Sequence, residues 1–252
     1  MCASAVVGVA ACDRAPVAWS DPVALRRLPG ARVGLDATGR VEWTAVRDSV
    51  RAVPAFPGAC GSSLRIATTP TARYAVWWAV RPDSSATLVA AASRDGGVTW
   101  SRPTRVDTAD VSTSGCDRPA PSIVAEADDV HIAYAMTASE GTGVFFAHSM
   151  DGTSMFHAPV AVEYGDRLVP AAVAADGNRV AVAFEEPNGT ARRIVLALSQ
   201  TLGHIFETHM IASRSEDAAR MPDVALRDRV IAVSWLADDS AAQRVVRVGR
   251  IQ

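Results

Sequence analysis

Val130-His-Ile-Ala-Tyr134, Val180-Ala-Val-Ala-Phe184 and Val230-Ile-Ala-Val-Ser234 begin fifty residues apart each time. Each run is short and rich in β-branched and aromatic residues, which suit a pleated, half-buried surface. Tyr74-Ala-Val-Trp-Trp78 and Val41-Glu-Trp-Thr-Ala45 read as earlier copies at less regular spacing. A recurring period of this length marks a repeat architecture, in which each unit buries its apolar face only against its neighbours.

The flanks of these runs repeat as well. A turn and a shorter apolar run precede them, as in Val169-Pro-Ala-Ala-Val-Ala174 before Asp176-Gly177-Asn178, and Pro222-Asp-Val-Ala-Leu226 before Arg227-Asp228. Such turn residues accept positive φ and suit tight hairpins. A third run follows at Leu88–Ala92, Val144–Ala147 and Ile194–Leu198, and a fourth at Pro103–Val106, Pro159–Val162 and His209–Ala212. Four short strands per unit, with no helical period, read as the blade of a β-propeller. The expected fold is therefore all-β, with about five four-stranded blades near 30–56, 60–107, 116–163, 166–213 and 219–252. Trp19-Ser-Asp-Pro22-Val-Ala-Leu25 reads like the fourth-strand segments Trp100-Ser-Arg-Pro103 and Phe156-His-Ala-Pro159. Residues 19–25 are accordingly expected to pair with the last blade and close the ring, removing an open sheet edge.

The turn between third and fourth strands carries the sharpest motif, Ser93-Arg-Asp95-Gly-Gly97-Val-Thr99-Trp100. Copies lie in register at Ser149-Met-Asp151-Gly-Thr-Ser-Met-Phe156 and Ser199-Gln-Thr-Leu-Gly203-His-Ile-Phe206. An Asp here caps the turn through backbone N–H groups, a Gly admits the left-handed conformation, and the aromatic plugs the space between sheets. Ser93, Asp95, Gly97, Thr99 and Trp100 meet every defined position of the Asp-box pattern Ser-x-Asp-x-Gly-x-Thr-Trp. Over roughly residues 60 to 213 the chain resembles the bacterial neuraminidase (BNR) repeat proteins of the sialidase-like superfamily. That resemblance implies a propeller whose Asp boxes are structural and lie on the face opposite the ligand.

On the ligand face an arginine stands just ahead of a proline in three blades: Arg118, Arg167 and Arg220. They read either as converging guanidinium forks for a carboxylate or phosphate, or as staples to neighbouring carboxylates such as Asp117 and Asp166. Arg65, in Leu64-Arg65-Ile66-Ala67, is the nearest match to the Arg-Ile-Pro signature of sialidase catalytic domains, and lacks the proline. The resemblance also implies a tyrosine nucleophile, an activating glutamate and an acid/base aspartate. Tyr164, between Glu163 and Asp166 in the loop leading to the fourth blade, is the one reasonable candidate, with a plain surface tyrosine as the other reading. Tyr74 and Tyr134 sit inside predicted strands and read as packing. Further carboxylates expected on that face are Asp83, Glu140, Glu185, Glu186, Asp238 and Asp239. A glycosidase needs two such groups about 5 to 10 Å apart, but solvated loop charges have the same appearance.

Other chemistries find little footing. His131, His148, His157, His204 and His209 show no metal-ligand spacing, so no metal and no cofactor are expected. Cys60 and Cys116 stand just before the first strands of consecutive blades and are disulfide candidates in an exported protein. Ala5–Ala11 followed by Cys12 resembles the end of a bacterial lipoprotein signal, with a frayed N-terminus as the other reading. The expected organisation is a leader remnant over 1–18 and one domain over 19–252, in an extracytoplasmic monomer. A net charge of −2 gives no electrostatic footprint for nucleic acid, although all 25 basic residues are arginine. The function expected is binding of a glycan or another anionic extracellular ligand without catalysis. The alternatives are an exo-α-sialidase-type glycoside hydrolase and a protein-interaction scaffold of the cell envelope.

Overall fold

The computed structural model describes residues 15–25, 31–45, 56–214, 218–237 and 243–252. Cys2, Cys12, Asp238 and Asp239 lie outside the described residues, as does most of the expected leader. Strands β1 (Val17–Trp19) and β2 (Val23–Leu25) come first, followed by a two-stranded sheet of β3 (Ala31–Leu35) and β4 (Val41–Ala45). Three four-stranded antiparallel meanders follow. The first is β5 (Arg65–Thr68), β6 (Arg73–Val80), β7 (Ala86–Ser93) and β8 (Thr104–Asp107). The second is β9 (Ser122–Glu126), β10 (Asp129–Ala138), β11 (Gly141–Ser149) and β12 (Val160–Gly165). The third is β13 (Ala171–Asp176), β14 (Arg179–Glu185), β15 (Ile194–Ser199) and β16 (Thr208–Ile211). The fifth sheet holds β17 (Arg220–Arg227), β18 (Val230–Ala237) and β19 (Gln243–Ile251), together with β1 and β2. A 3-10 turn at Gly61–Ser63 is the one helical element among the described residues.

The chain is thus all-β, in five sheets that follow the sequence. Their first strands touch in succession, β5 to β9, β9 to β13, β13 to β17, and β17 to β3. Where a four-stranded first blade is expected, the described residues form only the β3–β4 pair.

Strand alternation explains how the sheets stack. Successive side chains of a strand point to opposite faces, so a middle strand sandwiched between two sheets is apolar on both. In β6, Tyr74, Val76 and Trp78 pack with Tyr134 and Phe145 of the next sheet. Ala75, Trp77 and Ala79 form a separate cluster with Val89 and Ala91 on the other face. β14 divides likewise: Val180, Val182 and Phe184 meet Phe146, while Ala181 and Ala183 meet Ile231 and Trp235. Trp78, Trp235 and Phe184 are fully buried, each contributing roughly 1.5–3 kcal/mol.

β1 and β2 both pair with the C-terminal strand. Val17 stands opposite Ile251 and Trp19 opposite Gly249, while Val23 and Leu25 face Val246 and Arg244. The pairing begins two residues earlier than Trp19–Leu25, the segment expected from sequence. Sheet five in turn holds the small sheet. Asp223, half-buried in β17, accepts the Val33 N–H of β3 at 2.6 Å, and its removal from water raises its pKa despite that bond.

Candidate functional site

The three turns expected to share a motif share a hydrogen-bond pattern. In the first, the Asp95 carboxylate accepts from Ser93 Oγ (2.8 Å), Val98 N (3.1 Å), Thr99 N (2.9 Å) and Thr99 Oγ1 (2.6 Å). Ser93 Oγ accepts from Gly97 N at 2.8 Å. These donors, the Thr99 hydroxyl foremost, pull the Asp95 pKa down to about 2. In the second turn Ser149 Oγ donates to Asp151 Oδ1 at 2.7 Å and accepts from Thr153 N at 3.2 Å, while Met155 N donates to Asp151 Oδ1 at 3.0 Å. In the third, Ser199 Oγ accepts from Gly203 N at 3.1 Å, and Thr201 Oγ1 stands in for the carboxylate by accepting from Ile205 N at 3.1 Å. Gly97, Thr153 and Gly203 occupy one position and all have φ near +90°. Phe156 and Phe206 each pack against the core between two sheets.

Between the first two of these turns opens a groove of about 570 Å³. Arg94, Trp100, Arg102, Thr104, Asp151 and Ser154 line it. An indole beside guanidinium groups, hydroxyls and a carboxylate combines an apolar platform with polar donors and acceptors. Arg94 is paired with Asp128 at 2.6 Å on the exposed surface. The groove lies at the turn end of the sheets, opposite the end where a ligand is expected from sequence.

At that other end the predicted residues meet different fates. The Arg118 side chain is fully buried, with Nη1 2.9 Å from Asp110 Oδ2. That approach is off the line of a hydrogen bond. Arg118 also donates to Gly115 O (2.7 Å) and Ser112 Oγ (3.0 Å) and lies over the Trp78 ring. Arg118 is therefore an internal staple through Asp110, whereas the sequence points to Asp117. Arg167 is exposed and donates to Glu186 O at 2.8 Å. Arg220 stands in β17 opposite Leu236, and Arg65 donates to Ser62 O and Leu64 O.

Tyr164 belongs to β12, the outermost strand of its sheet, and not to a loop. It is 47% exposed, its ring edge-on to Phe145. Glu163 turns toward His209 of the neighbouring outer strand, 3.7 Å away. Asp166 is exposed just beyond β12, its N–H bonded to Pro187 O. Glu163 and Asp166 flank the tyrosine in sequence, and no hydrogen bond to its hydroxyl from either appears among the described contacts.

Cys60 and Cys116 form a disulfide, their Cα atoms 5.6 Å apart. It joins the segments leading into β5 and β9, at the Arg118 end. Spacing along the chain hides a further cluster. His148, His157 and His204 come together at the turn end, each offering a ring nitrogen within 4.8 Å of the others. The expectation that no metal could be held rested on local spacing, and His204 lies a whole repeat away from the other two. His131 stacks beside His148 at 6.2 Å, the two being cross-strand partners. Burial foremost, then neighbouring imidazoles, pushes both pKa values down to about 4, so both rings are neutral at pH 7.

No family model and no curated protein matches the chain. Among solved structures it is similar to Hadza microbial sialidase Hz136, with TM-score 0.49 and 15% identity over 70% of this chain and 42% of that one. It is similar also to a mutant of Trypanosoma rangeli sialidase displaying trans-sialidase activity (TM-score 0.49, 13% identity, 89% of this chain, 39% of that one). A Dyadobacter fermentans DSM 18053 protein of unknown function aligns over 94% of this chain and all of its own, with TM-score 0.47 and 13% identity. The chain spans about two fifths of the length of the two sialidases.

Proposed function

We propose that residues 17–252 form a sialidase-like Asp-box propeller of five blades, closed into a ring through β1 and β2. It works outside the cytoplasm and binds a glycan or another anionic ligand without cleaving it. The groove beside Trp100 carries this reading. Its indole offers a stacking face for a sugar ring, and Arg102 offers a fork for a carboxylate. The Cys60–Cys116 disulfide supports an oxidising compartment. Binding is favoured over hydrolysis because Arg118 spends its donors inside the protein and Tyr164 lies on an outer strand.

Glycan-array and calorimetric binding with sialylated and uronic-acid oligosaccharides test the proposal. Binding is expected in the wild type and is expected to fall at least about tenfold in Trp100→Ala, the worth of one lost stacking platform. Unaltered binding in that variant would remove the groove from consideration. The exo-sialidase alternative is read with a fluorogenic sialoside: turnover by the wild type that disappears in Tyr164→Phe would replace the binding reading with catalysis.

A further inference from the structure

We propose that His148, His157 and His204 bind a divalent transition-metal ion of the zinc type, and that the ion ties the second four-stranded sheet to the third. His148 is the penultimate residue of β11, and its backbone carbonyl accepts the His157 N–H at 3.0 Å. His204 comes from the next sheet, directly after Gly203 with its left-handed backbone. A Cβ at Gly203 would stand 2.0 Å from the Phe146 ring, so this turn can come down onto the histidines only because that residue is glycine. The rings of His157 and His204 lie 4.3 Å and 4.7 Å from that of His148.

A second observation points to a ligand. His148 is only 3% exposed, and its buried Nε2 has no hydrogen-bond partner. Buried polar nitrogens are ordinarily satisfied, and metal coordination is one way to satisfy an imidazole. The three ring nitrogens lie within 4.8 Å of one another, whereas tetrahedral nitrogen ligands at 2.0–2.1 Å from zinc stand roughly 3.3 Å apart. Ring rotation closes that difference easily, because His157 and His204 are exposed turn residues while packing holds His148. Three imidazoles with no carboxylate among them select zinc, copper, nickel or cobalt over the oxygen-seeking calcium and magnesium. With two ligands at the surface, the fourth coordination position opens to solvent.

Untagged, chelator-treated protein is titrated with Zn²⁺ by calorimetry, and with Co²⁺ by its visible ligand-field absorption. One ion per chain is expected, with a raised unfolding midpoint in its presence. His157→Ala and His204→Gln, both at exposed positions, are each expected to weaken binding by at least the roughly tenfold that loss of an outer-shell partner costs. Circular dichroism establishes that the variants keep the wild-type fold. His209→Gln, at the separate contact with Glu163, leaves uptake unchanged. No uptake by the wild type at micromolar zinc overturns the proposal. Equal uptake by the His157/His204 double variant, or loss of uptake in His209→Gln, overturns it as well.

Discussion

The bonds that Asp95 accepts from Ser93, Val98 and Thr99 exist only in the folded chain, and so does its depressed pKa. With a folded value of about 2 against an ordinary 3.8, the unfolded state takes up a proton first as the pH falls. Stability contributed by this residue is complete above pH 3.8 and is lost as the pH drops through about 2. Asp95→Ala is expected to flatten that acid limb in urea titrations run across the same interval; a slope equal to wild type would contradict the role given to the carboxylate. These turn residues were legible from sequence because their partners lie within a few positions of one another. Arg118 was only half legible. The type of contact could be anticipated, but its true partner Asp110 and the Trp78 ring beneath it are placed by the packing of two sheets. The histidine cluster was illegible for the same reason, since only stacking brings His204 to His148.

Strands announced themselves where burial on both faces left long apolar runs, as in β6 and β14. Thr153 shows the limit of pattern matching: it holds φ of +88° where its two counterparts are glycine, and the serine and aspartate bonds around it survive. Tyr164 shows another. An expected loop residue is strand because β12 runs to Gly165, pairing Tyr164 with Gly143. The disulfide joins the approaches to two such elements across a sequence separation of 56. Closing a loop of that length in the unfolded chain gives about 2–4 kcal/mol. Cys60→Ala/Cys116→Ala, or reduction of the wild type, is expected to lower the urea-unfolding free energy by that amount. An unchanged transition midpoint would mean that sheet packing alone sets the spacing of these two segments.

At the scale of the molecule, the last sheet is built from both ends of the chain, and the likeness of Trp19–Pro22 to Trp100–Pro103 was enough to foresee it. Of the four strands inferred for the first blade by analogy with its neighbours, the described residues hold the β3–β4 pair. Removal of residues 1–25 strips β19 of its outer partners β1 and β2 and leaves it paired with β18 alone, exposing Val245 and Val246 and a row of unpaired backbone groups. The truncated protein is expected to melt on the order of 10 °C lower and to self-associate on gel filtration. A monodisperse truncation with the wild-type midpoint would refute that dependence. The pairing of Val17 with Ile251 also sets a timetable for the nascent chain. During synthesis β1 leaves the ribosome more than two hundred residues ahead of its mate, so it must wait while every intervening sheet assembles. The last act of folding is then a long-range capture, slow by the nature of the distance spanned. Until it happens, the β19 of another newly made copy offers the same register, and crowded synthesis invites exchange of this one strand between molecules.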